Sequence, residues 1–143
     1  MAQDLSDETS TLVERIREAG VAGAGGAGFP SYAKWEHLDD VDYVMMNHQE
    51  SEPPYYSDKW LAKEHAEEFA EFFDALLDAG LFERIVVGTK EKYRGKWTDE
   101  FEAACDADVY GEDDLPADLD DLTGVVFCYT GDMYDFSEEQ VLL

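Results

Sequence analysis

The sequence predicts an α/β fold: a Rossmann-like, three-layer αβα arrangement around a mostly parallel sheet of about four strands. Three observations carry that prediction. Short apolar runs of strand type alternate with helical stretches along the chain. A long amphipathic helix, residues 58–79, separates the first two of those runs, as a parallel crossover requires. Ahead of them, five glycines (Gly20, Gly23, Gly25, Gly26 and Gly28) crowd into nine residues that run toward a helix start.

Residues 7–19 read as an amphipathic helix with Leu12, Val13, Ile16 and Ala19 on one face, capped by Asp7 and closed by Gly20. After the glycine loop a short helix is expected over 30–35, with Pro30 in its first turn. Residues 41–46 (V-D-Y-V-M-M) form the first strand, and 47–58 a loop. The helix over 58–79 buries Leu61, His65, Phe69, Phe72, Phe73, Leu76 and Leu77, and Gly80 ends it. Residues 84–88 (R-I-V-V-G) are a second, fully buried strand. Beyond Thr89 the pattern predicts a short helix over 98–104 capped by Thr98 and a third strand over 107–110. A solvated loop of six acidic residues follows over 111–121, then a fourth strand over 124–130. Ser137-x-x-Gln140 has the capping-box form and opens a last helix into Val141-Leu142-Leu143.

At 143 residues the chain is read as a single domain spanning 1–143, complete or the N-terminal portion of a longer protein. Ten basic residues stand against 35 acidic ones, a formal net charge of −25. A field of that sign repels nucleic acid and anionic membrane, so neither is expected as a partner. The charge reads as salt adaptation, because high ionic strength shortens the reach of self-repulsion; a halophilic, archaeal source is expected. Cys105 and Cys128 are 23 residues apart and form no C-x-x-C, which excludes a cysteine-ligated iron–sulfur cluster within this chain and any disulfide framework. No metal site is expected, since His37, His48 and His65 form no ligand spacing. The polar N-terminus shows no secretory pattern and no apolar run reaches spanning length, so a cytoplasmic place is expected.

Two stretches carry chemistry on their own residues. The glycine loop offers backbone N–H groups and close approach for a phosphate, with Lys34 able to add a full charge. A plain flexible linker is the alternative, though linkers rarely end in Phe29-Pro30 and a Lys34-Trp35 pair. The loop Asn47-His48-Gln49-Glu50-Ser51-Glu52-Pro53 follows the first strand, where ligand loops of such sheets belong; alternatively Glu50 and Glu52 are two more solvated acids. A third stretch, Tyr134-x-x-Ser137-Glu138-Glu139-x-x-Leu142-Leu143, places acids at a helix start, where they are also ordinary dipole partners.

Taken together and in this order, the stretches G-x-x-G-x-G-G-A-G-F-P-S-x-x-K-W, N-x-x-E-S-E-P and Y-x-x-S-E-E-x-x-L-L resemble the flavin-binding subunits of respiratory complex I and of the Rnf complex, with a related cobalamin reductase. Ala22 and Ala24, where complex I proteins have arginines, are closer to the Rnf branch; Gln49, Ser51 and Ser137 depart from the family pattern. The resemblance implies an FMN-binding domain in which NADH passes a hydride to the flavin, with no catalytic side chain required. It implies that Gly23, Gly25, Gly26, Lys34, Asn47, Gln49 and Glu50 hold FMN, and that Phe29, His37, Glu52, Tyr134, Glu138 and Glu139 position NADH. The iron–sulfur part of the family is absent from these residues. The resemblance therefore implies either a separate redox partner that bears iron–sulfur clusters or that this is the N-terminal portion of a longer protein, and a place at most peripheral to a membrane complex. The rival reading is a non-catalytic flavin- or nucleotide-binding or assembly module.

Overall fold

In the computed structural model, residues 2–24, 28–36, 38, 41–50, 56–114, 116 and 119–132 are described, with side chains from residue 9 onward. The elements run α1 (Ala2–Glu18), α2 (Tyr32–Trp35), β1 (Tyr43–Asn47), α3 (Ser57–Glu64), α4 (Ala66–Asp78), β2 (Arg84–Lys90), α5 (Asp99–Ala104), β3 (Asp108–Gly111) and β4 (Gly124–Thr130). Short 3-10 turns follow β2 at Glu91–Tyr93 and precede β4 at Leu119–Asp121. The sheet has four strands in the order β1-β2-β4-β3, and every pairing is parallel, as the fold class anticipates.

Parallel strands require crossovers, and these are helical where the chain advances across the sheet. The connections β1 to β2 and β2 to β3 run through α3, α4 and α5, which pack on one another. The step from β3 back to β4 reverses direction, and the right-handed rule for crossovers assigns such a return to the opposite face. Arg84 on β2 bonds Asp120 at 3.0 Å, which fixes the end of that return against the amino end of the sheet.

The core centres on Phe101, which is fully buried against Phe69, Phe73 and Phe127 at ring separations of 5.4, 5.9 and 5.1 Å. Ile85, Val87, Val125 and Tyr129 complete that layer from the strands. β2 is buried at every residue, the expected state of a central parallel strand.

Several boundaries differ from the sequence reading. α1 begins at Ala2, so Asp7 lies within it and does not precede it as a cap. Gly20 closes it in a left-handed conformation (φ 66°), with Gly20 and Val21 N–H groups bonding the Arg17 and Ile16 carbonyls at 3.1 and 3.2 Å. α2 starts two residues later than Pro30, because Pro30 lies in an antiparallel bridge with Ala22. β1 is shifted toward Asn47, and β2 runs two residues further to include the buried Thr89 and Lys90. Thr98 occupies the N-cap position of α5 without capping it; its hydroxyl accepts from the Tyr129 hydroxyl at 2.5 Å instead.

The helix expected over 58–79 is two helices, broken at His65 (φ −120°, ψ 31°). The break changes the phase of the buried face. Lys59 and Ala62 turn inward on α3, and Ala66, Ala70, Phe73 and Leu76 on α4. Leu61 and Phe72, placed on the buried stripe by periodicity alone, are 41% and 46% exposed. His65 is half-exposed and bonds Glu68 at 3.1 Å. The helix expected beyond Ser137 lies outside the described residues.

Candidate functional site

The carboxyl ends of the strands gather the chemistry. Asn47 closes β1, and its side-chain oxygen accepts the Gln49 N–H at 3.1 Å, turning the chain sharply over the sheet edge. The His48 N–H continues the parallel ladder to the Gly88 carbonyl at 2.9 Å. Gln49 then reaches sideways across β2, donating from Nε2 to the Thr130 hydroxyl at 3.0 Å. The loops after β1 and β4 therefore open at the same edge, 81 residues apart in sequence.

His48 is fully buried between the Thr89 hydroxyl and the Asp58 carbonyl, both at 3.2 Å, with its ring edge-on to Phe101. Burial lowers its pKa to about 4, so the ring is neutral. It accepts at one nitrogen and donates at the other, a strut between β1, β2 and the start of α3.

Glu50 is the centre of the site. Its buried carboxylate faces Lys59 at 2.9 Å, Lys92 at 3.1 Å and Lys90 at 3.6 Å. Lys90 also donates to the Glu50 carbonyl at 3.3 Å, and Lys59 lies 4.2 Å above the Tyr93 ring. Burial raises the Glu50 pKa, but the Tyr93 hydroxyl and the Lys59 and Lys92 ammonium groups beside it outweigh that and hold the carboxyl at about 2. Tyr93 moves up to about 12, through burial and its bond to Glu50. Lys92 is held charged by Asp132 at 2.6 Å and by Glu50. These named pairs set three ammonium groups against two carboxylates, with Lys59 and Lys90 buried.

Gln49 Oε1 is buried and has no hydrogen-bond partner. Exchanging the amide oxygen and nitrogen would leave a donor in its place, so either orientation keeps one polar atom free. A buried amide that is half satisfied has room for one more polar partner, and the N–H and C=O groups of an isoalloxazine are of the kind it could take.

The glycine loop is a separate feature. Its ends are tied, Gly23 N–H to the Phe29 carbonyl and Ser31 N–H to the Val21 carbonyl, each at 3.0 Å. Residues 25–27 between those tied ends lie outside the described residues. Phe29 is 54% exposed at its base, and Lys34 is exposed on α2. Gly25, Gly26, His37, Glu52, Tyr134, Glu138 and Glu139 lie outside the described residues. Among the described residues no group of His, Cys, Asp and Glu could hold a metal ion.

Sequence reasoning missed Lys59, Lys90 and Lys92 as site residues. A signal was present, because four of the chain's ten basic residues (Lys90, Lys92, Arg94 and Lys96) fall within seven positions.

A family profile described as the Nuo51 FMN-binding domain matches residues 16–142. The chain belongs to that family. It is 39% identical over 87 residues to the C component of the ion-translocating oxidoreductase complex of Erwinia tasmaniensis, covering 60% of this chain and 11% of that protein. To the cobalamin reductase PduS of Citrobacter freundii it is 36% identical, covering 61% of this chain and 19% of that protein. The chain thus spans a fifth or less of the length of these relatives. Its fold matches a crystal structure of an NAD+-reducing [NiFe]-hydrogenase with a TM-score of 0.64 and 19% identity, over 96% of this chain and 23% of that one. No helix among the described residues is long and apolar enough to cross a membrane.

Proposed function

We propose that this FMN-binding domain accepts a hydride from NADH on its flavin and passes the electrons to a cytoplasmic redox partner that carries iron–sulfur clusters. The observation that carries the reading is the bridged carboxyl edge, where Gln49 joins the loops after β1 and β4 and keeps a buried polar atom unpartnered. When bound, FMN supplies the redox chemistry, taking two electrons as hydride and releasing them singly. The chain's own residues bind and orient. Gly23, Gly25, Gly26 and Lys34 hold the phosphate and ribityl end, and Asn47, Gln49 and Glu50 hold the ring. Phe29, His37, Glu52, Tyr134, Glu138 and Glu139 hold the dinucleotide.

The two thiols do not offer an onward path within the described chain. Cys105 is pushed up to about 12 and Cys128 is raised as well, both by burial first, so neither is a ready thiolate ligand. An acceptor on another chain, or on a further part of a longer protein, meets that need.

Purified protein should bind FMN, with flavin absorption that persists through desalting, and Gly26→Val should abolish binding by filling the loop. Anaerobic NADH should bleach the bound flavin in stopped flow, and Glu52→Gln should slow that bleaching severalfold with little change in FMN affinity. Flavin binding without bleaching would establish the non-catalytic module instead. No flavin binding would end the reading.

A further inference from the structure

The cationic surplus around Glu50 has no counterpart in the composition of the chain. Ten basic residues serve 35 acidic ones, yet three of the six lysines converge on one buried carboxylate. Asp132 is the second partner, at 2.6 Å from Lys92 and 3.8 Å from Lys90, and it is 59% exposed. Lys59 Nζ and Glu50 Oε2 face each other at 2.9 Å without hydrogen-bond alignment, so neither is fully satisfied. A structural ion pair needs one cation here. Of the two further ammonium groups, Lys92 meets Asp132, while the buried Lys90 stands 3.6 Å from Glu50 and 3.8 Å from Asp132, an expensive placement unless a further negative group joins it.

We propose that the Lys59–Lys90–Lys92 cluster, acting beside and through Glu50, raises the reduction potential of the bound flavin by favouring its anionic reduced form. This rests on the flavin reading above. Transfer of a hydride from dihydronicotinamide to the oxidised ring delivers two electrons and one proton, so the ring gains one negative charge and the nicotinamide becomes a cation. The charge arrives without a proton from solvent, and a site whose described residues set three ammonium groups against two carboxylates is already arranged to receive it. The global charge of −25 would otherwise oppose that step, so the local lysines offset the field where it matters. Lys59 and Lys90 are positioning residues: they hold Glu50 ionised and in place, while the half-exposed Lys92 lies at the mouth of the cluster.

Lys92 is the position to test, because removing the fully buried Lys59 would strand Glu50 in the interior. FMN-loaded protein is titrated spectroelectrochemically as the native chain, Lys92→Gln and Lys92→Arg, and the affinity for oxidised FMN is measured alongside by fluorescence quenching. Lys92→Gln should weaken binding of reduced FMN relative to oxidised FMN on the order of tenfold, as expected for one unit charge removed at short range in a partly wet site. That ratio appears as a negative midpoint shift of about 30 mV. Lys92→Arg, which keeps the charge, should restore the native midpoint. An unchanged midpoint with FMN still bound overturns the inference and leaves the flavin reading standing. Equal loss of both redox forms also overturns it, since that is a packing effect. Failure of the native chain to bind FMN removes both.

Discussion

The two ends of the sheet hold buried cations in opposite ways. At the amino end, Arg84 is 1% exposed, yet its partners Glu83 and Asp120 are 70% and 79% exposed. One cation there meets two wet carboxylates, and the Asp120 pair ties β2 to the segment that leads into β4. At the carboxyl end three lysines meet Glu50, itself only 5% exposed. Among the described residues, the first arrangement has two carboxylates in water for one cation, and the second has three ammonium groups for Glu50 and Asp132. That asymmetry follows the general rule for open parallel sheets, in which ligand loops gather beyond the carboxyl ends. A structural clamp tolerates water because its role is only to hold. A site that accepts charge, the role proposed for the Glu50 cluster, benefits from excluding it.

The largest test of the contrast is Glu50→Gln. It leaves the lysines around a neutral amide, two of them buried, and should destabilise the fold by about 3–5 kcal/mol in urea titration, with loss of FMN binding. Added KCl should recover little of it, since buried groups are poorly screened. A loss under about 1 kcal/mol would mean that water already reaches the cluster.

His48 tests the same end by pH. Its folded pKa, about 4, is depressed below the ordinary 6.5 by burial. The unfolded chain therefore takes up a proton that the folded chain refuses, and stability present above pH 6.5 is lost as the pH falls toward 4. The contribution is about 3 kcal/mol at most. Melting curves of native protein and His48→Gln between those limits should converge toward acid, because the variant lacks the proton uptake. Parallel curves would show that the imidazole is not held neutral. Glu50, depressed to about 2, adds a loss in the same direction over the lower window from 4.5 down to 2.

Arg84→Met should have the smallest effect. Its carboxylate partners remain in water, and a methionine keeps much of the buried stem's volume, so the change should stay within about 1 kcal/mol. FMN affinity should not change. A loss matching that of Glu50→Gln would show that the amino end is as sequestered as the other.

Local chemistry makes much of the fold legible. β4 is readable at Gly124–Thr130 because its apolar run is continuous and bounded by Gly124, whose φ of 74° stops it cleanly. β2 reads two residues short, because Thr89 and Lys90 are polar and nothing local announces that they are buried. The break at His65 is invisible for a related reason. No proline or glycine marks it, and the apolar spacing runs on through Leu61 and Phe72 as though the helix were continuous. In the site, Asn47, Gln49 and Glu50 are legible from an ordered motif after a strand. The lysines are not, since Lys90 meets Glu50 across 40 residues and an intervening crossover.

The sequence by itself determined the α/β alternation, the helix stops at Gly20 and Gly80, and the placement of a polar loop after the first strand. Those depend on periodicity, positive-φ tolerance and side chains a few positions apart, all of which are written locally. The tertiary structure alone decided the strand order β1-β2-β4-β3, the phase of α3 that turns Lys59 inward, and the gathering of lysines on Glu50. Those outcomes depend on which distant groups share a water-free space, because only there does a buried charge need a partner from far along the chain.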